Sequence, residues 1–314
     1  MALLFPSAPN KAGLPPAPEP LSVPAASLWR QSLHRLRSNR MAMLGCGFLI
    51  FIALFCLLGP LFSPYSSGLV NTGQIKAPPS ASHWLGTDQL GRDILTRLMQ
   101  AGRISITVGL ASMTLSVVIG AALGIAAGYY RRGVDQVVMR TADVLMTIPE
   151  LPLLFIMAAV LSELKVPADY RLYIVMLLLS LVGWPGLARM VRSEVLSLRE
   201  RPFMLAAEAL GLRDRRKLFK HLLPNIMPLL LVAATLRVGG AIIGESTLSY
   251  FGLGVVPPTP SWGNMIDAAN SLIDFQRRPW LWVPPGLAIF VTVISINLLG
   301  DGLRDALDPK RKRR

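Results

Sequence analysis

Three stretches of this chain, Leu44 to Phe62, Ile104 to Tyr130 and Leu172 to Ala188, contain no charged residue at all. A helix rising 1.5 Å per residue needs about 20 apolar residues to cross the hydrocarbon core of a bilayer. Each stretch meets that length or nearly does, and inside lipid a helix satisfies its own backbone hydrogen bonds. Three further apolar segments are interrupted. Val144 to Ser162 holds Glu150, Leu222 to Val256 holds Arg237 and Glu245, and Trp280 to Leu299 holds Pro284 and Pro285. The simplest reading is an all-α polytopic membrane protein with six transmembrane helices. A chain of 314 residues that is 52% hydrophobic and only 16% charged is too apolar for a soluble domain.

The charges set an expected orientation. Lys and Arg are in excess before Leu44, from Arg131 to Asp143, from Arg189 to His221 and after Gly300, which places these segments and both termini in the cytoplasm by the positive-inside rule. That bias also accounts for the net charge of +14 through helix orientation and contact with anionic lipid, with no call for a nucleic acid partner.

Four regions are expected. Residues 1–26, rich in Pro and Ala and without a basic start ahead of an apolar run, read as a disordered cytoplasmic tail and not as a signal peptide. In 27–43, Trp29, Leu33 and Leu36 recur at helical spacing among Arg30, Arg35, Arg37 and Arg40, the pattern of an amphipathic helix on the inner leaflet. Residues 44–303 form the transmembrane domain, and 304–314 a basic cytoplasmic tail. Cys46 and Cys56 lie about 15 Å apart along one helix, too far for a disulfide, and read as packing residues.

Catalytic machinery is not visible in the sequence. There is no Gly-rich loop ending in Gly-Lys-Ser or Gly-Lys-Thr, so ATP is not bound by that route. His34, His83 and His221 fall in three separate segments and suggest no shared metal site, although His83 stands near Asp88 and Asp93. Glu150, Arg237 and Glu245 are costly at membrane depth and should face protein or a water-filled path, as ion pairs, backbone caps or substrate contacts. Gly239, Gly240 and Gly244 would let another helix approach, and a second chain is the expected neighbour.

The segment Leu205-Ala206-Ala207-Glu208-Ala209-Leu210-Gly211, followed by Arg213, Arg215, Arg216, Lys217 and Lys220 and then Leu223-Pro224, reads as a helix-turn-helix knob. Small alanines would admit another protein's surface, Gly211 would end the first helix, Asp214 would cap the second, and Pro224 would mark the next boundary. This segment resembles the EAA loop of the membrane subunits of bacterial ABC importers. Ala206, Ala207, Gly211, Leu223 and Pro224 are in register, while Leu205 replaces the Glu and His221 the Ile of that pattern. The run from His83 to Leu98, which contains Gly86, Thr87, Asp88, Gly91, Arg92 and Asp93, is similar to the signature ahead of the second membrane helix in the C-type permeases of dipeptide, oligopeptide and nickel importers. Ser249 to Gly254, Pro260-Ser261-Trp262-Gly263 and Asn297 to Asp305 resemble the same permeases in the same order.

The resemblance implies a non-catalytic permease subunit of an ATP-driven importer of the peptide class in the bacterial inner membrane. It would pair with a homologous second permease subunit, two cytoplasmic ATPase subunits that bind ATP and Mg, and an extracytoplasmic substrate-binding protein. The loop at about 193–223 would couple the ATPases to the path. A nickel or other small-solute importer is the alternative within the family. An ion-gradient-driven secondary transporter, with Glu150 and Glu245 as proton carriers, is the alternative outside it, but no inverted repeat is visible.

Overall fold

The computed structural model describes residues 25–164 and 167–307. The expected tails therefore fall almost wholly outside the described residues. Among the described residues the chain is helical, and Thr87 and Asp93 form an isolated antiparallel bridge.

The helix before the first span ends earlier than its amphipathic pattern suggests. α1 (Ala25–Ser38) stops at Asn39, whose carboxamide oxygen accepts from the backbone N–H of Met41 and Ala42 at 3.1 and 3.2 Å, so the spanning helix α2 (Arg40–Phe62) begins three residues before residue 43. α3 (Ile94–Tyr130) starts ten residues before its charge-free stretch. Two arginines within it have partners that a linear sequence does not show. Arg97 reaches Asp88 and the carbonyl of Ser67, and Arg103 Nε donates to the carbonyl of Cys56 at 2.7 Å.

The segment from Val144 to Ser162, counted as one interrupted crossing, is bent. α4 (Arg132–Thr147) and α5 (Glu150–Glu163) meet at 91° across Ile148 and Pro149. Proline drives the preceding residue out of the helical region, and Ile148 sits at φ −90°, ψ 128°. α4 carries ion pairs from Asp135 to Arg192 and from Asp143 to Arg189 on α6 (Ala168–Arg199). Among the described residues five helices are long and apolar enough to cross a bilayer, or six crossings if the bent pair counts as one.

α7 (Pro202–Ala209) is followed by α8 (Asp214–Arg216), a π-helical turn (Lys217–Leu222) and α9 (Leu223–Tyr250). These last three run on as one helical rod, which corrects two expectations. Arg213, not Asp214, holds the cap position, and Pro224 lies in the first turn of α9 without ending anything, because a proline there lacks only an N–H that the turn leaves free. Short helices α10 (Trp262–Ile266) and α11 (Leu272–Arg277) precede α12 (Val283–Leu307), which absorbs Pro284 and Pro285 in its first turn in the same way and continues past residue 304.

α3 and α6 make the closest helix pair. Gly120, Gly124 and Gly128, one turn apart on α3, lie so near α6 that a Cβ would stand 2.8 Å from Leu187, 2.6 Å from the Ala188 carbonyl oxygen and 2.8 Å from Val195. Small residues at four-residue spacing let two backbones meet where lipid gives no hydrophobic drive. The glycines of α9 serve the same chain and not, as expected, a second one. Gly239 faces Val293 and Asn297 on α12, Gly244 faces Leu179 on α6, and Gly240 alone is open.

Candidate functional site

Three layers of the chain carry the residues that the sequence singles out. The first is the cap formed by residues 71–93 with α10 and α11. Gly86 and Gly91 adopt φ of +75° and +71°, and a Cβ at Gly91 would lie 1.8 Å from the Asn71 carbonyl oxygen. Asp88 accepts from the backbone N–H of Leu90 and Arg92 and from Arg92 Nε at 2.7 Å, with Arg97 Nε 3.3 Å away. Asp93 caps α3 through Thr96 and meets His83 Nδ1 at 2.9 Å, while His83 Nε2 faces Gln74 at 2.7 Å. Thr87 Oγ1 accepts from the Ala77 N–H and donates to the Gln74 carbonyl. His83, Thr87, Asp88, Arg92 and Asp93 of this signature are therefore committed to holding the loop.

Lys76 and Arg278 close the cap from the other end of the chain onto Asp274, with Lys76 Nζ 2.7 Å from Oδ2. The Lys76 ammonium, helped by the Ser271 hydroxyl and the Arg278 guanidinium against the opposing effect of burial, pulls the Asp274 carboxyl down to about 2.

The second layer lies within the spans. Glu245 is fully buried and stands at the end of two hydrogen-bond chains. The Trp262 N–H donates to Ser105 Oγ, which donates to Glu245 Oε2 at 2.8 Å. The Val255 N–H donates to Ser249 Oγ, which donates to Oε1 at 2.7 Å. One carboxylate thus pins the segment after α9 and the start of α10 against α3. Trp262 is itself buried, its indole N–H donating to the Leu98 carbonyl at 3.1 Å beside Cys56 and Gly102.

Arg237 does not meet Glu245. Its guanidinium reaches past Ser116 toward Gly183 and Gly186 on α6, and it feels the charge of Glu150, which is exposed at the start of α5 beyond ion-pair distance. The three intramembrane charges therefore form no shared site.

The third layer is the knob. α7 ends in a Schellman turn, with Gly211 at φ +64°, its N–H donating to the Glu208 carbonyl and the Leu212 N–H to the Ala207 carbonyl. Ala207 is 3% exposed, on the buried side of α7 with Met204, which packs in one cluster with Leu198 and Leu222, and this corrects its expected place on a docking face. The outward face is formed by Leu205, Ala206, Glu208, Ala209 and Leu210, the last 78% exposed. Beside it runs an open groove lined by Arg213, Arg215, Arg216, Phe219, Lys220 and Pro224. Leu223 is half-buried behind it. An exposed apolar tip ringed by cations suits a soluble partner with an apolar hollow and acidic margins.

Comparison with known proteins gives this arrangement its class. Residues 120–313 match the family described as binding-protein-dependent transport system inner membrane component, and residues 27–79 match the N-terminal TM domain of oligopeptide transport permease C. The chain belongs to the binding-protein-dependent transport family and is a multi-pass inner-membrane protein. It is 40% identical over 296 residues to the oligopeptide transport system permease protein OppC of Bacillus subtilis, covering 94% of each chain. It is 37% identical over 301 residues to the dipeptide transport system permease protein DppC of Alkalihalophilus pseudofirmus, covering 94% of this chain and 96% of that one. The glutathione transport system permease protein GsiD of Pectobacterium atrosepticum is 35% identical over 285 residues, 90% of this chain and 92% of its own.

Proposed function

We propose that this chain is one permease subunit of an ATP-driven peptide importer, forming half of the path with a homologous second subunit. Two cytoplasmic ATPases bind ATP and Mg and engage the knob around Leu205, Ala206 and Leu210, and an external binding protein delivers the peptide to the side of the cap. Both termini lie in the cytoplasm. The chain itself transmits force and breaks no bond.

The observation that carries this reading is the knob: an exposed apolar tip on a turn fixed by Gly211, surrounded by basic side chains and rooted in the inner ends of α3 and α6. Among described residues no cluster of three metal-binding side chains occurs, and none of the intramembrane charges forms a relay with another. The peptide class is supported by relatives named for oligopeptide, dipeptide and glutathione transport.

The test is peptide accumulation in proteoliposomes that hold the whole complex, with ATP supplied and the proton gradient collapsed. Uptake should persist on ATP alone and vanish in the Ala206→Asp variant, which places a charge on the exposed tip. Uptake that follows the gradient and ignores ATP overturns the assignment in favour of an ion-driven carrier.

A further inference from the structure

Tyr129, next to the last residue of α3, is bound from three directions although it lies outside every motif of the sequence. Its hydroxyl donates to Asp214 Oδ1 on α8 at 2.6 Å. Its backbone carbonyl accepts from Arg199 Nη1 at the end of α6 at 2.5 Å. Its ring lies beneath two cations, Arg199 Cζ at 5.2 Å and Lys217 Nζ at 5.6 Å from the centroid. The cations are themselves engaged, Lys217 with Asp214 at 2.9 Å and Arg199 with Glu208 on α7 at 3.4 Å. One 6%-exposed residue therefore joins α3 to α6, to α8 and to Lys217, and through Arg199 to α7.

The knob is joined covalently to α6 through Glu200 and Arg201, and on its other side to α9 by a softer route. α8 passes into α9 through the π turn Lys217–Leu222, a rare geometry that is found at functional sites and is a cause of kinks in helices. Pro228 follows inside α9 and removes a backbone N–H from the ladder. On the other side of Tyr129 the chain is rigid. Arg131 and Arg132 both hold positive φ, 57° and 46°, a conformation that non-glycine residues keep only where their surroundings enforce it. From there the glycine seam of α3 locks directly onto α6.

We propose that Tyr129 is the positioning residue through which displacement of the knob reaches α3, so that α3 moves together with α6, while the π turn yields and leaves α9 to follow. The inference rests on the coupling reading above and names the load path within it. The tie from Tyr129 and the compliant π turn hold α8 in parallel, so displacement of α8 is passed on by the stiffer of the two, the tie to α3.

The measurement is peptide uptake per ATP hydrolysed by the whole complex with its binding protein in proteoliposomes. Tyr129→Phe keeps the ring beneath both cations and removes the hydroxyl, and with it the bond to Asp214 and the polar contact with Lys217. Uptake per ATP should fall about tenfold, the factor equivalent to about 1.4 kcal/mol and of the size of a hydrogen bond to a charged group. Asp214→Ala should reproduce the loss, and the double variant should lose no more than either single one, since both remove the same link. Ala206→Asp is measured alongside. If it abolishes uptake while Tyr129→Phe leaves the ratio at the wild-type value, or lowers uptake and hydrolysis only in step with complex yield, the load path is refuted and the coupling reading stands. If Ala206→Asp transports normally, the coupling reading falls and Tyr129 falls with it.

Discussion

Replacing Glu245 tests how the segment between α9 and α10 is held. Glu245→Leu removes both direct acceptors, leaving the Ser105 and Ser249 hydroxyls with donors aimed at carbon. A buried polar group left unpaired costs about 1–3 kcal/mol, so the two together cost about 2–6 kcal/mol. Glu245→Gln keeps one carbonyl oxygen and should cost about half of that. The readout is built into the chain, because Cys56 is 1% exposed and packs with Trp262 around Gly102. In a Cys46→Ser background, labelling of Cys56 by a small permeant maleimide in detergent reports release of Trp262. The rate should rise by about 5–150-fold in the Gln variant, as a 1–3 kcal/mol change in an opening equilibrium implies, and further in the Leu variant. Uptake on ATP alone should be reduced in the Gln variant but not lost. A Leu variant that labels at the wild-type rate refutes the two hydrogen-bond chains as the anchor. Complete loss of uptake in a Gln variant whose Cys56 stays protected would give Glu245 a transport role instead of a structural one.

Three further outcomes are expected. Single cysteines at the exposed positions Ser80 and Thr259, with Cys46 and Cys56 removed, should react with an impermeant thiol reagent in intact cells, whereas one at the exposed Ser197 should not; labelling of Ser197 would reverse the orientation. Gly211→Val should abolish ATP-driven uptake without lowering insertion. No atom stands within 4 Å of the new Cβ, so the cost is the left-handed backbone alone, at least about 1–2 kcal/mol, and normal uptake would show that the turn tolerates reshaping. The depressed carboxyl of Asp274 contributes stability that is present above its ordinary range and lost as pH falls from about 4 through about 2. The stability advantage of the wild type over Asp274→Asn in detergent should therefore shrink across that window, and a constant gap would refute the link.

Much of the fold was legible because lipid imposes long uncharged runs, and α2, α3, α6 and α12 stand where those runs are. Their ends were less legible. Ile94 to Arg103 looks too charged for a spanning helix until Arg97 and Arg103 find carbonyls and a carboxylate contributed by residues far away in sequence. Pro149 was a readable signal for the bend between α4 and α5, as was the Gly120, Gly124, Gly128 spacing for the α3–α6 seam. At the knob, the motif located the turn, yet composition could not say that Ala207 faces inward and Leu210 outward, since that depends on which side of α7 meets Leu198 and Leu222. Tyr129 carried no signal, because its partners come from α6, α8 and the π turn.

The pairing of Lys76 with Asp274 joins residues 198 positions apart, and Trp262 settles on a helix begun at Ile94. A ribosome adding about 5–20 residues per second needs about 10–40 s to supply the second half of that contact. Through that interval the loop around Asp88 has its local bonds but no lid, and Cys56 and Leu98 lack the indole that will cover them. The newborn chain therefore passes through a stage in which its first helices exist with one end unfinished, open to premature pairing until the last loop emerges.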